Sequence, residues 1–455
     1  MAISTTPQTS SRVETLRSLI QLLVDTSEAV IKEWEAEEHP EHSDVKGSPT
    51  PSLPSHALFE ARRIMRGACE MCIDLVEDPR HRIQELAETF SLSQAFDTTL
   101  RAGVPDILAE TSLTTRGVPA AELSRRTGIN EKKLVRIMRL LCSGGMYEEV
   151  KDSQFTNTHI SGVFVANAPA RAIQCIFGTQ LHVSAIAHLP VTLLDSKWTN
   201  ATSATEAAFH KAQGTNKTLW ELIDQGDDSD ANVVQMREVF APSMVGQGQM
   251  GSPALLADFP WGSLKEATVV DVGGGVGSMC IDLATIFQDL RFVIEDLPAT
   301  IEKARIVWST EGTAAIETGR VQLLAHDFFA EQPVKRAEVY FLRCVLHDWP
   351  DDDCIKILSR LRDAMGPESR ILVADIIVHP PLGSKHLTSA PAPLPANYGR
   401  ANAFKGMRDI AMLSMYNGIE RTPEQLGVIA DAARLKIEKI WECRGPFSIT
   451  ELRPL

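Results

Sequence analysis

The segment VVDVGGGVGS, residues 269–278, runs from an apolar stretch to an acid, Asp271, and then to Gly273, Gly274, Gly275 and Gly277. A strand that ends in a glycine turn and opens into a helix reads this way, because the missing side chains let the backbone close on a ligand. No Gly-Lys-Ser/Thr follows, so the turn is not a phosphate-binding P-loop. A dinucleotide turn fits poorly too, since its third glycine would fall at Ser278.

Outward from this turn, short apolar runs alternate with helical segments. ATVVDV, RFVIED, RVQLLAHD, AEVYFLRC and RILVADIIV predict a parallel sheet wrapped by helices, an α/β fold. KIEKIWEC and PFSITELR predict an antiparallel hairpin that closes it. Open α/β sheets bind ligands outside the carboxyl ends of their strands. Asp296, ending FVIED, offers a carboxylate that can accept from both hydroxyls of a ribose. Asp327 and Phe328, after LLAH, offer an acceptor for an exocyclic amine and an aromatic face for a base. Each acid alone commonly serves as a cap or turn residue. Together and in this order they suit a nucleoside without a pyrophosphate, and S-adenosylmethionine is such a ligand. SKHLTSAPAPLPANYGR, residues 384–400, interrupts this half and is expected to be a mobile surface insertion and candidate lid.

The other half is mostly helical. Residues 10–34 predict an amphipathic helix with Leu16, Leu19, Ile20, Leu23 and Val30 on one face. Residues 35–56, rich in Pro, Ser and charge, predict a flexible linker. Residues 119–160 read as a winged-helix unit: a helix from Pro119 to Thr127, a turn at Gly128-Ile129, a second helix capped by Asn130, and a hairpin turning at Lys151-Asp152-Ser153. Lys132, Lys133, Arg136 and Arg139 would be its DNA-facing cations. A formal charge of −14 over 455 residues counts against a nucleic-acid partner and favours a packing or dimerisation module. The expected domains are residues 1–57, helix and linker; 58–175, helical and winged-helix; 176–260, a helical connector that contributes to a substrate pocket; and 261–455, catalytic. No secretory signal or membrane-spanning run is found, so a cytoplasmic protein is expected. The eight cysteines read as reduced core thiols, Cys69-Glu-Met-Cys72 included, and no His/Cys/Asp cluster has ligand spacing, so no metal is expected.

VVDVGGGVGS, IEDLPATI, HDFF, FLRCVLHDWPDDDCIKIL, ILVADIIV and NGIERTPEQL occur in the order found in class I methyltransferases. Residues 60–455 resemble the plant and fungal small-molecule O-methyltransferases of the caffeic acid type, and LHDW followed by acids and an apolar helix is the most specific element. The resemblance implies a Rossmann-like sheet, a winged-helix dimerisation domain, and a homodimer with exchanged or interlocked N-terminal helices. It implies that Gly273, Gly274 and Gly275 hold the methionine end of S-adenosylmethionine, Asp296 its ribose, and Asp327 and Phe328 its adenine. Arg343 stands near the adenine end, where the family usually has lysine.

Methyl transfer to a hydroxyl calls for a base with a pKa near neutrality. His347 follows the fourth strand at the same sheet edge as the glycine turn and is placed for that task. Glu420 matches a family position that flanks the histidine. Asp375 matches a second, usually glutamate, and is one methylene short, so its contact is expected to be lost or to pass through water. Asp348 matches a residue that touches substrate, and also suits a cap for the helix beginning at Asp351-Asp352-Asp353. Phe240, Met244, Met412 and Asn417 fall near positions that line the acceptor pocket, and Gln247 falls where some relatives carry histidine. The expected activity is O-methylation of an aromatic or polyketide-like hydroxyl. One alternative keeps fold and cofactor but catalyses dehydration or pericyclic ring closure; another is a winged-helix DNA-binding regulator.

Overall fold

The computed structural model describes residues 11–38, 53–110 and 117–455. The chain divides into two compact units: one takes the residues up to Glu77, Asn200–Ala207 and Gly251–Leu455, the other Asp78–Thr199 and Ala208–Met250. These breaks differ from the boundaries expected at 57/58, 175/176 and 260/261, which follow composition rather than packing.

The first unit is built on a seven-stranded sheet. Its strands are β1 (Thr268–Val272), β2 (Arg291–Asp296), β3 (Val321–Ala325), β4 (Val339–Arg343), β5 (Arg370–Asp375), β6 (Leu435–Glu442) and β7 (Ser448–Pro454). Their order across the sheet is β3-β2-β1-β4-β5-β7-β6. The first five are parallel; β7 pairs antiparallel with both β5 and β6, with Ser448 opposite Asp375. The apolar runs are continuous because both faces are covered. Val269 and Phe341 enter one core with Trp261 and Trp308, while the next residues in register, Val270 and Tyr340, enter the other with Ile357 and Ile429. Strand order reverses at β1, so the crevice beyond β1, β2 and β4 is where this topology binds ligands.

Helices α1 (Arg12–Glu38) and α2 (His56–Val76) belong to this unit. Leu19 and Val30 are buried as expected, but Ile20 is 51% exposed. Of the expected linker, residues 35–38 are helical and 39–52 lie outside the described residues. Ser55 caps α2 by accepting the Leu58 N–H at 3.0 Å. The insertion at 384–400 is not the mobile lid expected. Leu394 and fully buried Tyr398 pack against Leu19, Ile64 and Ala68. The Arg63 guanidinium lies 3.7 Å from the centroid of the Tyr398 ring, whose hydroxyl donates to Glu60. Two large side chains override the Pro- and Ala-rich composition.

The second unit contains the winged-helix module. Its first helix is Ala120–Thr127, because Val118–Pro119 forms a short strand against Gln154-Phe155. Asn130 caps the helix Glu131–Ser143, which buries Leu134, Met138 and Leu141. The hairpin Tyr147–Lys151 and Gln154–Asn157 turns at Asp152-Ser153. Arg139, one of the expected DNA-facing cations, is paired with Glu149 at 2.8 Å and Asp152 at 2.9 Å. Among the described residues, no helix is long and apolar enough to cross a membrane and no cluster could hold a metal ion.

Candidate active site

The glycine turn follows β1 directly. Gly275 has φ +61°, and its N–H donates to Asp296 Oδ2 at 2.9 Å. The other oxygen of Asp296 accepts the Leu297 N–H at 2.7 Å. The carboxylate is therefore fixed in orientation and keeps lone pairs for a ligand. Gly274 must stay bare for a different reason: a Cβ there would lie 2.4 Å from the carboxyl carbon of Asp271. Asp271 is buried, accepts the Cys280 thiol at 3.2 Å, and is pushed up to about 6 by burial. Asp271 was visible as the acid of the motif, but its place beneath the turn was not. Burial also raises Asp282, and the Arg343 cation opposes the rise at both carboxyls.

Asp327 is exposed, and its Oδ1 accepts the Phe329 N–H at 3.0 Å. Phe328 is half-buried and stands edge-on to Phe329 and Trp349. A bare backbone turn, an oriented carboxylate after β2, and an acid with an aromatic ring after β3 lie in chain order along one sheet edge. This set fits S-adenosylmethionine.

After β4 the chain turns sharply. Cys344 has φ +54°, and its N–H donates to Asp375 Oδ1 at 2.9 Å. The short 3-10 turn Leu346–Asp348 then presents His347, which is 7% exposed. Its Nδ1 lies 2.9 Å from Oε1 of buried Glu420. Glu420 is itself held: its N–H donates at 2.9 Å to Asp409, on helix α3 (Ala403–Tyr416). The neighbouring Ile419 N–H donates to the His347 carbonyl at 2.8 Å. Buried Arg421 donates to the carbonyls of Leu346 and Trp349 at 2.8 and 2.9 Å, tying down the LHDW segment. Burial works against charging His347, yet the carboxylates of Asp348, Glu420 and Asp375 outweigh it and lift its pKa well above the usual 6.5.

Asp375 spends an oxygen on Cys344 rather than on His347, in keeping with its missing methylene, and burial raises it to about 6. Asp348 is not a helix cap, since Pro350 holds that position for Asp351–Ala364. Its Oδ1 lies 3.5 Å from His347 Nε2, too far for a good hydrogen bond. Met412 is buried on α3. Asn417 has a structural task of its own. It ends α3 at φ +53° and commits its amide to the carbonyl of Ser203 at 2.8 Å. Phe240, Met244 and Gln247 lie in the second unit, where Phe240 stacks edge-on with Trp220. The first unit thus brings together His347, Glu420, Asp348 and Asp375, while Met412 is placed on the helix that carries Asp409. Asp409, Gly418 and Arg421, which complete the support, carried no signal beyond their place around NGIERT.

The family model for the O-methyltransferase domain matches residues 197–434, and that for the O-methyltransferase dimerisation domain matches residues 84–167. The O-methyltransferase gedA of Aspergillus terreus is 39% identical across 98% of this chain and 97% of its own. The solved structure of the mitomycin 7-O-methyltransferase MmcR aligns with a TM-score of 0.65 at 26% identity, over 83% of this chain and 98% of that one. A solved structure described as a pericyclic reaction enzyme aligns with a TM-score of 0.69 over 97% of this chain and 100% of that one; at 20% identity it shows a shared fold. S-adenosylmethionine is the cofactor of this family, and the turn and the two acids fit it. The chain belongs to the S-adenosylmethionine-dependent O-methyltransferase family.

Proposed function

We propose that this enzyme methylates a hydroxyl of an aromatic or polyketide-like metabolite, with His347 as general base and Glu420 as its orienting partner. The 2.9 Å contact between His347 Nδ1 and Glu420 carries the reading. A carboxylate accepts and does not donate, so in the neutral ring the hydrogen sits on Nδ1 and Nε2 keeps its lone pair. When bound, S-adenosylmethionine supplies a methyl group activated by the sulfonium that carries it. Gly273, Gly274 and Gly275 would flank its methionine end, Asp296 would accept from its ribose, and Asp327 with Phe328 would receive its adenine. Arg343 would add positive charge below the turn. His347 Nε2 takes the proton of the acceptor hydroxyl, and Glu420 and Asp348 stabilise the imidazolium that results. Buried Met412 supports an apolar acceptor. The dimerisation-domain match supports a homodimer.

One observation favours a second reading. The carboxylates around His347 favour its protonated form, which suits an acid in dehydration or ring closure. The two separate on the products. The enzyme is incubated with S-adenosylmethionine and a panel of phenolic and polyketide acceptors, and all species are identified by mass spectrometry. Methyl transfer gives one S-adenosylhomocysteine per methylated product; an isomerised or dehydrated product with the cofactor intact selects the second reading. His347→Gln should keep cofactor affinity and lose transfer. Full activity in that variant removes the general-base role.

A further inference from the structure

We propose that Lys405 is a positioning residue for the His347–Glu420 pair, a second cation whose charge acts on the buried carboxylate and thereby sets the pH at which His347 can accept a proton. The inference rests on the assignment of His347 as the base.

Helix α3 turns one face to this pair. Lys405, Asp409 and Met412 recur at i, i+4 and i+7, the spacing of one helical stripe. Asp409 grips the Glu420 N–H, and the Met412 carbonyl accepts the Gly418 N–H at 3.3 Å. One turn earlier, Lys405 is half-buried and its Nζ donates at 3.0 Å to the carbonyl of Ile377, two residues beyond Asp375. From there its charge acts on Glu420. That carboxylate needs more than His347. Its Oε1 is taken by the imidazole, while its Oε2 is buried with no hydrogen-bond partner among the described residues. A buried carboxylate in that condition is stabilised by positive charge nearby.

The charges around both groups fix the sign. Lys405 is faced by Arg63 from α2, Glu442 from β6, Glu420, Cys443 and His379. Burial, with Arg63 next, lowers its pKa to about 8. His347 is faced by Asp348, Glu420 and Asp375, and Arg408 acts on Asp348. His347 bonds Glu420 directly, and Lys405 acts on it through space. With Lys405 removed, His347 holds its proton more tightly, and each unit by which its midpoint rises lowers the fraction free to accept a proton about tenfold at a fixed pH below the midpoint.

The test needs no acceptor. The full chain is labelled with nitrogen-15 in its 12 histidines, the His347 resonance is assigned by its loss in His347→Gln, and its titration is followed by NMR. In the wild type the resonance should show a second, smaller step as Lys405 loses its proton. Lys405→Met should move the His347 midpoint upward, Lys405→Arg should leave it near the wild-type position, and affinity for S-adenosylhomocysteine should stay constant in both. An unmoved or lowered midpoint in Lys405→Met overturns the proposal. So does a wild-type titration with no second step, a result that stands even if the variants fail to fold. Undiminished methyl transfer by His347→Gln would instead remove the base assignment while leaving the measured coupling between Lys405 and His347 in place.

Discussion

Gly418 is where a single added methyl group should separate catalysis from cofactor binding. A Cβ there would lie 2.2 Å from the carbonyl oxygen of His347 and 3.2 Å from the Cα and carbonyl carbon of Asp348. All three are backbone atoms, so no rotamer relieves the contact. The φ of Gly418 is not in the left-handed region, so close approach alone demands glycine here. An ordinary C···O separation is about 3.3 Å, so the two segments would have to part by about 1 Å. The Ile419 N–H to His347 carbonyl bond crosses the same gap at 2.8 Å, and Glu420 is the next residue. Parting the segments would stretch the 2.9 Å His347–Glu420 contact out of hydrogen-bonding range. A misplacement of about 1 Å costs on the order of a hundredfold in rate. Overpacking at a site that cannot yield costs about 1–3 kcal/mol of stability. Gly418→Ala should therefore show kcat down on the order of a hundredfold, a lower urea midpoint, and nearly unchanged affinity for S-adenosylhomocysteine by calorimetry. A variant with wild-type kcat would refute the reasoning, because the base could then tolerate displacement from its partner.

Two further outcomes follow from the same geometry. Asp296→Ala removes a charged acceptor and frees the Gly275 N–H; a hydrogen bond to a charged group contributes about 1.5–3 kcal/mol, so cofactor affinity measured by calorimetry should fall roughly tenfold to a hundredfold, and an unchanged Kd would contradict the ribose assignment. The contribution of Asp271, Asp375, His347 and Glu295, buried in β2, to stability should decline as pH rises, because all four have folded-state pKa values above their ordinary ones. The carboxyl contributions are lost from about pH 4 up to about 6 for the aspartates and about 7 for Glu295; that of His347 is complete below about pH 6.5 and lost as pH rises through its higher folded value. Urea midpoints across this range should show the His347→Gln variant losing the part of the slope above pH 6.5. An unchanged slope would mean that His347 is not stabilised as an imidazolium.

The sheet was legible because strands buried on both faces leave long apolar runs, and the glycine turn with Asp296 follows from motif and order alone. The pairing of His347 with Glu420 could be anticipated only through family resemblance, since 73 residues separate the two. Gly418 left no such trace. Its need comes from another segment's backbone, and a lone glycine after Asn417 reads as an ordinary helix end. Asn417 shows the converse. Its position suggests a pocket wall, but its left-handed φ and bond to Ser203, which also end α3, leave no mark in the sequence. The insertion at 384–400 was misjudged because composition averages over residues, whereas anchoring depends on two of them, Leu394 and Tyr398.

That anchoring bears on how the chain can be cut. A fragment starting at residue 261 would contain the whole sheet, the glycine turn and His347. It would also strip Tyr398 of its cover from Leu19, Ile64 and Ala68, leave its hydroxyl without Glu60, and deprive Arg444 of its 2.6 Å ion pair with Asp258. The catalytic half is thus not a transplantable module. Chimeras that exchange acceptor specificity among relatives should carry α1, α2 and the insertion together with the sheet.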